Sequence, residues 1–234
     1  MRPGKLHAFQ ENIELFRSLL KPGALCFDVG ANIGEKSEAL LEAGARVVAF
    51  EPNPLVLPEL QARCQRRTNW SLVAAAVGSA ASETTFYARE MHELSSLSES
   101  WEGSETVATF TVPVVTLDSS IQRFGVPFYC KLDVEGWELE VLLGLSQQIP
   151  LLSFEFHLDE RGIAKTIACL KRLAQLGPSH VNVTADESSR FHLKDWVPLQ
   201  EFLAWFPGDL ARTLPGYLFG DIFVRSDTDL PINR

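Results

Sequence analysis

Two groups of polar residues stand at the ends of apolar runs, where a folded chain most easily does chemistry. The first is the turn Asp28-Val-Gly30-Ala-Asn32-Ile-Gly34, together with Glu51, which closes the run Arg46-Val47-Val48-Ala49-Phe50. The second is Asp133 with Glu135 after one apolar run, and Glu155 with His157 at the end of the next. A glycine-rich turn between strand and helix leaves backbone N–H groups bare, so a ligand can approach closely. Carboxylates and an imidazole converging on one crevice can orient an acceptor and take its proton. His157 leads as the base, because an imidazole is partly neutral near physiological pH; Asp133 and Glu155 orient it or act themselves.

The turn does not meet the dinucleotide pattern G-x-G-x-x-G, and Asp28 brings negative charge toward a helix N-terminus that a pyrophosphate would need free. Gly30 and Gly34 supply permissive backbone, and Asn32 is of a type that tolerates positive φ. A carboxylate beside bare amides instead complements S-adenosylmethionine, which carries an ammonium and a sulfonium as well as a carboxylate. Asp28 faces its cationic end. Glu51, 21 positions after Gly30, stands where Rossmann-like folds place an acid to accept from ribose hydroxyls.

Lys131 and Asp133 share one strand face at period two, as do Ser153, Glu155 and His157 on the next strand. Asp133 therefore counts toward both the donor and the acceptor. Asp133, Glu135, Glu155 and His157 could also hold a divalent metal, an alternative the residues leave open without favouring it. Plainer roles compete: Asp133 or Glu135 capping the helix that starts near Gly136, Lys131 pairing with a carboxylate, His157 solvated at a strand end. Asp118 is expected to cap the following helix. Ser95-Ser96-Leu97 lies in a loop available to substrate. Trp196, Phe202, Trp205 and Phe206 either present rings to a sugar or, the favoured reading, pack on the sheet.

The elements that must position these residues follow from periodicity. Residues 6–20 read as a leading helix, and strands are expected at 24–29, 46–51, 71–77, 127–133, 151–157, 180–184 and 218–225. Helices are expected at 37–43, 55–66, 137–145 and 164–176. Repeated strand-helix units imply an α/β fold, a mostly parallel central sheet flanked by helices. Thr84–Ala88 and Thr106–Val115 alternate apolar and polar residues and read as an inserted antiparallel hairpin. The expected organisation is a single domain over 1–234, with a leading helix at 1–22, the hairpin insertion at 79–115 and a segment at 186–215 assigned to the acceptor side.

The chain has 234 residues, 46% hydrophobic, with a net charge of -9. That charge argues against a nucleic-acid partner. The four cysteines show no C-x-x-C pair and suit reduced, buried thiols. With no signal-peptide core and no membrane span, the expectation is a soluble cytoplasmic protein.

The segments FDVGANIGEKSEAL at 27–40, VVAFEPNP at 47–54, VTLD at 115–118 and KLDVEGWELEVLLG at 131–144 resemble the FkbM-type methyltransferase family. The resemblance implies a Rossmann-like class I methyltransferase fold, S-adenosylmethionine as donor, and O-methylation of a hydroxyl on a sugar, lipid or polyketide-like molecule. The acceptor is then a small molecule or glycan. The loop Ala75-Ala76-Val77-Gly78 lacks an acid for the adenine amino group, so Ala76 and Val77 would meet the adenine through backbone atoms. A non-catalytic scaffold of the same fold and a nucleotide-dependent oxidoreductase stand as alternatives.

Overall fold

The computed structural model describes residues 3–98, 104–186, 188–208, 210, 216 and 218–227. The elements run α1 (Pro3–Leu19), β1 (Leu25–Val29), α2 (Glu35–Glu42), β2 (Arg46–Phe50), α3 (Leu57–Cys64), β3 (Trp70–Val73), β4 (Ala76–Val77), β5 (Ser82–Arg89) and β6 (Thr106–Val115). They continue with α4 (Leu117–Phe124), β7 (Tyr129–Leu132), α5 (Glu138–Leu143), β8 (Leu151–His157), α6 (Glu160–Leu176), β9 (Ser179–Val183), β10 (Val197–Pro198), α7 (Leu199–Trp205) and β11 (Phe219–Ser226).

Among the described residues the main sheet has the order β10-β9-β11-β8-β7-β1-β2-β3. Strands β8, β7, β1, β2 and β3 pair in parallel, whereas β11 lies antiparallel between β8 and β9. The central strands are buried on both faces, which is why they read as near-continuous apolar runs. Alternate residues serve two cores. Phe27, Val29, Val48 and Phe50 pack with α4, α5, α6 and α7, through residues such as Leu117, Leu142, Leu170 and Phe202. Cys26, Val47 and Ala49 pack with α1, α2 and α3, through Phe16, Leu40 and Leu60. Asp28 shares the second face and so meets α2.

The inserted hairpin is present: β5 and β6 pair antiparallel over eight positions from Ser82↔Val114 to Arg89↔Thr106. One expected strand does not hold together. Residues 71–77 divide into β3, which joins the main sheet, and β4, which pairs in parallel with β6 in a second sheet, β4-β6-β5. The break is a tight turn in which Ala75 N donates to Val73 O at 2.9 Å.

Asp118 does not cap α4. Thr116 does, in a reciprocal capping box with Ser119, while Asp118 Oδ1 accepts from Ser146 N at 2.9 Å. The aromatic cluster divides between the cores: Phe202 and Trp205 of α7 pack with Phe206 in the first, and Trp196 meets Phe191 on the opposite side with the Arg225 guanidinium over its ring. Parts of the segment at 186–215, and residues 99–103 of the insertion, lie outside the described residues. The four cysteines are free and buried. No helix among the described residues is long and apolar enough to cross a membrane.

Candidate active site

The turn after β1 is held from three sides. Gly30 N and Ala31 N both donate to Phe50 O at 3.0 Å, tying the turn to β2. Gly30 has φ 84°, and a Cβ there would sit 1.7 Å from Asp133 O, so the glycine is demanded by the close approach of the backbone that follows β7. Asn32 has φ 49°, and Gly34 with φ 88° ends the turn at the start of α2.

Asp28 is 1% exposed, and its Oδ2 accepts from Ser37 Oγ at 2.6 Å. Among the described residues its Oδ1 has no partner, nor does Asn32 Oδ1. Burial pushes the Asp28 carboxyl up, and the Lys131 ammonium opposes that shift. Glu51 uses both oxygens on backbone: Oε2 accepts from Asn32 N and Oε1 from Asn53 N, each at 2.7 Å. Burial still pushes its carboxyl up to about 7. Each of these oxygens keeps a second lone pair for an incoming donor.

These groups line a cavity of about 550 Å³, closed by Ala75, Ala76 and Val77 on one side and by Asp133, Glu135 and Glu155 on another. One oxygen from each of these three acids lies within 4.8 Å of the others. Lys131 Nζ is 2.5 Å from Asp133 Oδ2, the structural pairing expected for that lysine. Burial works to raise the Asp133 carboxyl, but the Lys131 ammonium outweighs it and holds the group below its usual range. Glu135 takes φ 52° and is pushed up to about 9, by burial first and then by Asp133 and Glu155. Neither Asp133 nor Glu135 caps α5. Glu138 instead turns back to accept from Val134 N at 3.3 Å and Gly136 N at 3.1 Å, holding the loop that carries them.

His157 stands outside the three-acid group. Its Nε2 lies 3.2 Å from Glu155 Oε2, and it lines a second cavity of about 270 Å³ with Glu138, Arg161 and Lys165. Glu155 lines both cavities. The hydrogen bond His157 donates to the Glu155 carboxylate raises the imidazole above its usual value, with burial opposing.

Residues 28–179 match the model of the methyltransferase FkbM domain. The chain belongs to the FkbM methyltransferase family. It is 27% identical over 169 residues to the hexuronic acid methyltransferase AglP of Haloferax volcanii, covering 70% of this chain and 69% of that one. Its fold is similar to that of a precorrin-6y C5,15-methyltransferase from Geobacter metallireducens GS-15, with a TM-score of 0.50 at 11% identity over 93% of this chain and 87% of the other. The fold is that of the class I methyltransferases, and family and fold together make this an S-adenosylmethionine-dependent methyltransferase. The match displaces the oxidoreductase alternative.

The residues present fit that donor. A buried carboxylate oxygen without a partner suits its cationic end, and the Glu51 carboxylate opens on the same cavity. Sequence reasoning passed over Lys36, which lines the cavity from α2, and Glu138, whose role is to hold the loop. It also passed over Asp221. Asp221 lies within β11, opposite Glu155, and lines the cavity.

Proposed function

We propose that this FkbM-family enzyme methylates an oxygen of a sugar-type acceptor, with Glu155 receiving the acceptor proton and His157 holding Glu155 in place. The observation that carries the reading is the position of Glu155. It lines both cavities and is paired at 3.2 Å to His157, so a sugar in the smaller cavity can present a hydroxyl toward the donor in the larger. Asp133 is held by Lys131 and Glu135 keeps its proton near neutrality, which leaves Glu155 as the available base of the three.

On the donor side, Asp28, Gly30, Asn32 and Glu51 would hold the ligand from the wall of the larger cavity, which Ala76, Val77 and Asp133 also line; Gly34 does not line it and serves the turn instead. S-adenosylmethionine supplies the electrophilic methyl group when bound. The chain's own residues orient the acceptor oxygen, exclude water and hold the proton. The relative that acts on hexuronic acid supports a sugar, and hexuronic acids are the first acceptors to try.

The test is turnover with S-adenosylmethionine across free and lipid-linked sugars, hexuronic acids included. A mass gain of one methyl is read by mass spectrometry, and the methylated atom by NMR. A methyl ether on a sugar oxygen is expected; methylation of nitrogen or carbon, or turnover with non-sugar acceptors alone, would overturn the reading.

A further inference from the structure

Phe219 opens β11, and its ring stacks on the His157 imidazole with centroids 6.0 Å apart and planes at 28°. Phe219 lines the larger cavity and His157 the smaller. One face of the phenyl ring is thus against the imidazole, and the other is offered to the larger cavity. The backbone fixes a second group beside it. Asp186 N, just past the end of β9, donates to Phe219 O at 2.9 Å, continuing the ladder in which Thr184 N donates to Asp221 O at 2.9 Å. Asp186 is exposed and lines the larger cavity too.

This ring and carboxylate stand apart from the donor turn. In the sheet order β9 is four strands from β1 and two from β8; at about 4.8 Å per strand, its end lies about 19 Å from that turn and about 10 Å beyond Glu155. Asp221 on the same wall is met by the Lys36 and Lys131 ammoniums, so Asp186 is the carboxylate this end offers a ligand. A pyranose has C–H groups over its face and hydroxyls around its edge. The face packs on an aromatic ring, and the edge donates to a carboxylate. An acidic ring would meet repulsion from Asp186, and a purely aromatic one would leave it nothing to accept.

We propose that this end of the larger cavity holds a second, neutral sugar ring of the acceptor, Phe219 carrying its face and Asp186 accepting from its hydroxyls, while the ring to be methylated sits at Glu155. The inference rests on the sugar reading above. It adds that the acceptor is a glycan of at least two rings, uncharged at the second.

Four acceptors test it with the full chain and S-adenosylmethionine: glucuronic acid, glucuronic acid joined through its anomeric carbon to glucose, the same acid joined to a second glucuronic acid, and phenyl glucuronide. A parallel set built on glucose covers a neutral first ring. In the wild-type chain kcat/KM for the glucose-bearing acceptor should exceed that for the single ring by about 10- to 100-fold, the worth of a charge-assisted hydrogen bond, and should exceed both other conjugates. Asparagine tolerates the φ 55° of Asp186. Asp186→Asn should therefore keep the fold, cut that gain about 10-fold and bring the acidic second ring within about twofold of the neutral one. Phe219→Leu should cut the gains from glucose and phenyl alike. No gain from a second ring in the wild-type chain would overturn the subsite. So would a phenyl gain equal to that of glucose and indifferent to Asp186→Asn, which marks a mere apolar shelf, or equal losses for one-ring and two-ring acceptors in both variants, which mark a structural role. Methylation of no member of either set would defeat the sugar reading itself, and this subsite with it.

Discussion

His157 Nε2 lies 3.2 Å from Glu155 Oε2, and Glu155 lines both cavities while His157 lines the smaller. The imidazole therefore reaches the reacting region through the carboxylate. The pairing at this junction holds the Glu155 carboxylate in one orientation, which is what a group that must meet an acceptor hydroxyl requires.

Glu155→Gln should lower kcat by about 10²- to 10⁴-fold, the usual worth of a positioned base. His157→Gln should cost less, about 10²-fold, by letting the carboxylate stray. Donor affinity should be unchanged in both. Single-turnover kinetics beside calorimetry separates the effects, and a larger loss from His157→Gln would exchange the two roles.

Glu51→Ala should weaken S-adenosylhomocysteine binding by about 1–3 kcal/mol through lost charge-assisted hydrogen bonds. It should also lower the melting temperature, because the N–H groups of Asn32 and Asn53 lose their acceptor. Unchanged affinity in a chain that melts earlier would make Glu51 a brace for the turn and no part of the donor site.

Glu135 gives a dependence on pH with a definite sign. Burial, reinforced by Asp133 and Glu155, raises its carboxyl from 4.5 to about 9, so the folded chain binds this proton more tightly than the unfolded one. The stability it contributes is present below about 4.5 and is lost as pH rises through about 9. Glu135→Gln imitates the protonated acid. Its melting temperature should match the wild type at the acid end of that window and exceed it increasingly toward the alkaline end; a constant difference would show that Glu135 is ionised throughout.

Two glycines with similar backbone separate close approach from conformation. Gly30 at φ 84° would drive a Cβ into Asp133 O, whereas Gly23 at φ 80° has nothing within 4 Å of a Cβ. Gly23→Ala should cost about 1 kcal/mol, the penalty of a left-handed alanine. Gly30→Ala should cost more than about 4 kcal/mol or prevent folding. Denaturant midpoints of the two variants check the contrast, and equal losses would mean that the turn can move away from Asp133.

Much of the candidate donor pocket was legible because it is local. Asp28, Gly30, Asn32 and Gly34 lie within one turn, and β1 and β2 are apolar runs long enough to signal burial on both faces. The division of residues 71–77 was not legible, since Ala75 is as apolar as its neighbours and the break depends on whether β2 or β6 offers a pairing edge. Thr116 and Asp118 both suit a helix start, and only the return of Ser146 to Asp118 decides between them. Lys36 reads as a solvated helix residue until α1 is laid over it, a contact spanning 24 positions. The offset of His157 from the acid group was equally hidden, because period two places it on the face of Glu155 and says nothing about how a strand end opens onto a second cavity.

The position of β11 bears on how the molecule is made. Among the described strands it comes last in the chain, yet it is inserted between β8 and β9, and Asp221 on it faces Glu155. During synthesis the turn after β1 exists long before this strand does. Until residues 219–226 arrive, β8 is an open edge with its outer N–H and C=O groups unpaired, and β9 has no neighbour joining it to β8. A nascent chain thus acquires the means to grip a donor before it has the wall against which a methyl group could be used, and its most adhesive edge stays uncovered over the same interval.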